Sequence, residues 1–221
     1  MTKVSLRLLP LAVSGLLLTA CSGSSGASGG PDAADVQVRL DRQALMEERV
    51  LGYAGARYDA VPDVGSAEFT GMGRIEIDRD ASQRSDDITL VGFAEITADF
   101  EADTVTGQIT NFQGHTGRRA TDDTVFDADG TLRIGQRGSD LEDRDAGRTN
   151  RWHSSYGGHL TSPEGDIRLH GTLDGQFRGT RLSEDGLEAF LRSIHGVDTD
   201  GTARVDGVDA DSMRIEVLGL E

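Results

Sequence analysis

The sequence predicts an all-β protein: a single eight-stranded antiparallel β-barrel with a short lead-in helix and one helix between strands six and seven. Three observations predict it. From Val64 onward, apolar residues recur with period two, the mark of strands that bury one face. Many of the 29 glycines fall on that same apolar parity beside bulky residues, as the crowded, strongly coiled interior of a small barrel requires. Between the alternating runs lie short turn sequences such as Glu101-Ala102-Asp103 and Ser162-Pro163-Glu164-Gly165, which join antiparallel neighbours.

The strands follow in order. Ala67, Phe69, Gly71, Gly73, Ile75 and Ile77 share one face of the first, against Glu68, Thr70, Arg74 and Glu76. Ile88, Leu90, Gly92, Ala94, Ile96, Ala98 and Phe100 share one face of the second, and Val105, Gly107 and Ile109 one face of the third. The fourth holds Leu132 and Ile134 after a turn at Asp127-Ala128-Asp129-Gly130. In the fifth, Trp152, Tyr156 and Leu160 oppose Arg151, His153 and His159, which makes the two aromatic rings expected core anchors. The sixth alternates most cleanly, Ile167, Leu169, Gly171, Leu173, Gly175, Phe177 and Gly179 against Arg168, His170 and Arg178. The seventh and eighth run through Ala203 and Val205 and through Met213, Ile215 and Val217.

Helical spacing enters twice. Residues 41–51 form a modest amphipathic lead-in. Residues 183–194 place Leu187, Phe190, Leu191 and Ile194 at i, i+3, i+4 and i+7, with Ser183 as the cap and Glu184 and Asp185 in the first turn.

The N-terminus reads as a delivery signal. Lys3 and Arg7 precede an apolar run ending in Leu16-Leu17-Leu18, too short for a lasting membrane span, and no acid appears before Asp32. Leu18-Thr19-Ala20-Cys21 resembles a bacterial lipobox, which makes Cys21 the expected site of lipidation and residues 1–20 the signal peptide. Ser22 after the cysteine resembles the outer-membrane sorting pattern, so the expected location is the outer membrane, lipid-anchored, on either its periplasmic or its outer face. Residues 21–35 then supply the acylated cysteine and a Ser/Gly tether, 36–60 a lead-in segment with the short helix, and 61–221 the barrel.

Composition narrows the partners. The chain carries a formal charge of −16, and loss of residues 1–20 removes Lys3 and Arg7 but no acid, leaving −18. A surface so acidic repels nucleic acid and anionic lipid. The single cysteine excludes a disulfide scaffold and every multi-cysteine zinc site.

Three further stretches carry a resemblance. Val61-Pro62-Asp63-Val64-Gly65-Ser66-Ala67-Glu68-Phe69-Thr70-Gly71 is similar to the opening strand of the transferrin-binding protein B barrel family. Gly92-Phe93-Ala94-Glu95-Ile96-Thr97-Ala98-Asp99-Phe100, continuing to Val105-Thr106-Gly107-Gln108-Ile109, resembles its second and third strands. The late run Gly171-Thr172-Leu173-Asp174-Gly175-Gln176-Phe177-Arg178-Gly179 resembles a further strand, with Arg178 where that family has an aromatic residue. The resemblance implies an eight-stranded barrel on a surface lipoprotein that captures ligands.

No GxSxG elbow, HExxH or phosphate loop occurs, so no catalytic residue, cofactor or metal is expected. A calcium loop counted from Asp127 needs glycine at its sixth position and glutamate at its twelfth, where Leu132 and Gly138 stand, so Asp127-Ala128-Asp129-Gly130 and Asp198-Thr199-Asp200-Gly201 read as turns. The acidic run with Asp140, Glu142, Asp143 and Asp145 reads as a solvated loop. The candidate ligand-binding residues are His153, His159 and His170 with Arg151 and Arg168, all on the outward face of one hairpin. Such a face could receive haem propionates, an anion, a metal or an acidic partner. The expectation is a monomeric, non-catalytic, lipid-anchored binding protein. It captures a nutrient such as haem or an iron carrier, or a protein partner. The alternatives are a protective envelope lipoprotein with no soluble ligand, and a lipocalin-like carrier with its ligand inside the barrel.

Overall fold

A computed structural model describes residues 30–56, 61–117, 120, 124–141, 150–179 and 191–221. Helix α1 (Ala33–Gly52) leads into strands β1 (Ser66–Asp78), β2 (Ile88–Asp99), β3 (Thr104–Thr116), β4 (Val125–Leu141), β5 (Arg151–Ser162) and β6 (Gly165–Gly179). Then come β7 (Leu191–Asp198), β8 (Thr202–Val205), β9 (Val208–Asp209) and β10 (Ser212–Leu220). Strands β1 to β6 form an antiparallel meander; β6 pairs with β7, β7 with β10 and β10 with β1, which closes an eight-stranded antiparallel barrel. Closure removes the free sheet edges that would otherwise invite association.

The expected inward parity holds through β1, β2 and β6, where Phe69, Ile75, Ile77, Leu90, Ile96, Leu173 and Phe177 are all buried in one core. The interior glycines have a definite use. A Cβ on Gly175 or Gly196 would overlap the Trp152 indole, and one on Gly171 or Gly201 would overlap the Tyr156 ring or hydroxyl. The room left by those missing side chains is therefore occupied by two aromatic rings.

Three expectations are corrected. Of the helix expected over 183–194, residues 183–190 lie outside the described residues, while Leu191 and Ile194 belong to β7. Ser193 and Ile194 are both fully buried although they point to opposite faces, because α1 covers the outside of this strand. Burial on both faces erases period two and leaves a spacing that mimics a helix. Second, the seventh barrel strand is β7, and the segment through Ala203 and Val205 is β8. That short arm pairs with β6 beyond the end of β7 and turns back through β9. Third, Asp127-Ala128-Asp129-Gly130 is not a turn but lies within β4, with Ala128 buried in the core and Gly130 at φ +133° against the His159 carbonyl. Asp140 also belongs to β4, whereas Glu142, Asp143 and Asp145 fall outside the described residues.

The lead-in helix is longer than the spacing predicts, 20 residues from Ala33. Asp32 caps it by accepting a hydrogen bond from the Asp35 N–H at 2.8 Å. Val36, Gln43 and Val50, each seven apart, form its buried stripe. The helix lies across the outer surface of β10, β1, β2 and β7, over Met72, Val91 and Leu218, which are buried outside the barrel core. Near its start, the Arg39 guanidinium stands 4.9 Å from the Phe93 ring centroid, and its Nη1 donates to the Asn111 carbonyl at 2.6 Å. Asn111 has φ 55° within an irregularity of β3 that turns this carbonyl toward the helix. At the other end Arg178 Nη1 donates to the Tyr53 carbonyl at 2.9 Å and reaches the Leu51 carbonyl at 3.4 Å. The arginine that departs from the family resemblance thus fastens the helix terminus to β6.

Candidate functional site

The β5–β6 hairpin brings the predicted residues to one outward face but not to one point. Arg151 lies opposite Gln176, His153 opposite Asp174, Gly157 opposite His170, and His159 opposite Arg168. His153 and His159 are six residues apart on one strand, a separation of about 20 Å. Each histidine has a local partner: His153 Nδ1 contacts the Asp174 carboxylate, His159 Nε2 lies 3.4 Å from Asp166 Oδ1, and His170 Nε2 lies 2.9 Å from Thr202 Oγ1. Across β5, β6 and β8 the row His159, Arg168, Arg204 is basic, with Arg204 held 2.7 Å from Asp209. Among the described residues no cluster of three His, Cys, Asp or Glu side chains could hold a metal ion. The face is a ladder of separate pairs; a flat or extended partner could touch several of them, whereas a compact ligand could touch only one. Cys21 lies outside the described residues.

A second polar arrangement, absent from the sequence-based expectations, sits under α1. Glu216 on β10 is 6% exposed and accepts from Gln43 Nε2 at 3.1 Å, and its Oε1 lies 3.0 Å from His195 Nε2 on β7. Arg214 Nη2 is 3.9 Å from the same oxygen, and Arg74 faces Glu216 across the β1–β10 pair. Burial pushes the Glu216 carboxyl up, but the hydrogen bond and charge of His195, with the charges of Arg214 and Arg74, outweigh it and hold the group below its ordinary value. A depressed carboxylate stabilises the fold above its unfolded value of 4.5, and the contribution is lost as the pH falls through the depressed folded value. Glu216→Gln should therefore flatten the acid limb of a stability–pH curve below about pH 4.5. Thermal unfolding across that range checks it; an unchanged limb contradicts the assignment.

Beside this cluster runs a groove of about 930 Å³ between α1 and the ends of β1, β2, β3 and β10. Arg74, Glu76 and Asp78 of β1, Thr89 of β2, His115 of β3 and Arg214 of β10 line its floor. Arg74 Nη2 donates to Glu76 Oε1 at 2.5 Å. His115, only 4% exposed, has Nδ1 3.2 Å from the Thr116 carbonyl. Two buried polar atoms of this floor, Arg74 Nε and Asp78 Oδ1, have no hydrogen-bond partner within the protein. Sequence reasoning missed the groove because its floor reads as the ordinary wet face of a sheet; only the position of α1 turns it into a recess.

Comparison with family models, curated proteins and solved structures finds no match to this chain. The fold and the outer-face sites define a closed eight-stranded barrel with an external helix and a polar groove between them.

Proposed function

We propose that the chain is a lipid-anchored, non-catalytic binding module of the cell envelope, resembling the transferrin-binding protein B barrel family, that captures a nutrient ligand or a partner on its outer surface. One observation carries the reading: the space beside Gly171, Gly175, Gly196 and Gly201 is taken by Trp152 and Tyr156, while the outside carries a groove of about 930 Å³. A filled barrel favours outer-face capture over the lipocalin-like carrier. The basic run, short apolar run and Cys21 supply the anchor, and the Ser/Gly segment behind it supplies the reach to hold the barrel off the membrane. The −18 charge of the mature chain keeps that barrel away from anionic lipid. The outer membrane is the proposed location.

Native mass spectrometry of the anchored chain, released gently from its own membrane, tests this. A retained small mass or a stoichiometric partner is the expected result. A bare mass, reproduced after incubation with haem and with growth medium, contradicts capture and leaves a protective envelope role.

A further inference from the structure

We infer that the outer sheet face holds a tetrahedral oxyanion over Gly157, between Arg133 of β4 and His170 of β6; this rests on the binding-module reading above. Gly157 is the starting point because neither crowding nor backbone conformation requires glycine there. Gly158, Gly171 and Gly175 would each bring a Cβ closer than 3.0 Å to another atom, and Gly130, Gly135 and Gly138 have positive φ. A Cβ on Gly157 would meet only the Leu169 carbonyl oxygen, at an ordinary 3.7 Å, and its φ is not positive. Glycine inside a strand weakens it, and where packing does not demand one it marks a close approach from outside.

Strand register supplies the donors. Gly157 has the outward parity of β5, with Arg133 directly opposite on one side and His170 directly opposite on the other. Those two flanking positions are two strand spacings apart, about 10 Å, and the missing side chain leaves a notch between them. An oxyanion seated there meets a guanidinium from one strand and an imidazole from the other. Arg168 lies diagonally across from Gly157 and adds a second positive charge. Neither Arg133 nor Arg168 has an ion pair or hydrogen bond through its side chain among the described residues, so both keep their donors. Thr202 Oγ1 lies 2.9 Å from His170 Nε2, on the strand away from Gly157, and steadies the ring. Ser155, two residues before Gly157 on the same face, accepts from the Arg137 N–H at 3.0 Å and keeps its own proton to donate. Carboxylates stand further out and are engaged: Asp166 lies 3.4 Å from His159, and Glu95 accepts from Gln108 at 3.0 Å. In a chain of formal charge −16, a carboxylate-free rung bordered by two unpaired arginines favours an anion. A carboxylate ligand turns both oxygens to one side, whereas a phosphate or sulfate group reaches both strands at once.

NMR titration of the full anchored chain in neutral detergent tests the inference, with inorganic phosphate as the probe and the His170 imidazole resonance as the readout. At constant ionic strength, phosphate should bind saturably and at least about tenfold more tightly than acetate. Gly157→Val should weaken phosphate at least about tenfold while thermal unfolding stays at or above that of the unaltered chain, because a β-branched residue suits an open strand position. Arg133→Gln, an exposed change, should weaken phosphate about fivefold and provides the test should Gly157→Val not fold. Phosphoethanolamine separates the sources: binding at least equal to that of phosphate assigns the site to a phosphate monoester, and weaker binding assigns it to the free ion. No saturable response of His170, acetate binding as tightly as phosphate, or full binding retained in Gly157→Val overturns the inference. Such a failure leaves the broader proposal standing if native mass spectrometry returns another ligand, and a bare mass there overturns the reading on which this site rests.

Discussion

Gly175→Ala should destabilise the barrel by about 2–3 kcal/mol, a large effect for one methyl group. The added carbon falls on the Trp152 indole, which is fully buried and fixed between Gly175 and Gly196. The ring cannot retreat, because a Cβ on Gly196 would meet it too. Trp152→Ala should itself cost about 3–5 kcal/mol through the cavity it leaves. The combination is the informative variant. Without the indole the methyl group has space, so the cost of Gly175→Ala should nearly vanish in the Trp152→Ala background, a coupling of about 2 kcal/mol. Urea unfolding of the two single variants and the double variant measures this. Additive costs would show that the glycine serves the backbone and not the ring.

The second large effect concerns the place where the edge of β6 passes from β7 to β8. Asp198, 7% exposed at the end of β7, accepts from the Tyr156 hydroxyl at 2.8 Å, the Thr172 N–H at 3.1 Å and the Asp200 N–H at 2.8 Å. Asp198→Ala strands all three donors, with an expected loss of about 3 kcal/mol, whereas Tyr156→Phe removes one bond at about 1 kcal/mol. Burial, with the hydrogen bond and charge of Asp198, pushes the Tyr156 phenol well above its ordinary value of 10.0. The folded state then keeps a proton that the unfolded chain releases, so stability falls as the pH rises above about 10. Tyr156→Phe should remove that alkaline slope, and chemical denaturation between pH 9 and 11 reads it, with about 10 as the expected break. A slope unaltered in Tyr156→Phe would place the alkaline transition elsewhere.

What the sequence made legible follows the burial of each strand. β6 was readable, more than any other strand, because one of its faces is wet: Arg168 and His170 stand outside while Ile167, Leu169 and Leu173 stand inside. β7 was not, because Ser193 is buried under α1 as fully as Ile194 is in the core. The first two turns of α1, residues 33–40, went unread because they bury only Val36 and leave Val38 exposed. The histidine-bearing hairpin was placed correctly, down to Ser162 opposite Gly165 at its turn, but alternation fixes only a face. The distance between His153 and His159 along that face, and the local carboxylates each one meets, come from strand register. The groove was illegible for a similar reason: Asp78, His115 and Arg214 are far apart in sequence and meet only where the helix walls the sheet.

The filled barrel is the central claim, and the chain carries its own probe, since Trp152 is the only tryptophan. Acrylamide quenching of its fluorescence, before and after an apolar dye is added, tests the claim most directly. A filled barrel gives a blue-shifted emission that acrylamide does not reach until the chain unfolds, and no energy transfer to a dye lodged inside. Ready quenching in the folded state, or a dye that binds and extinguishes Trp152, would show a hollow barrel and return the ligand to its interior.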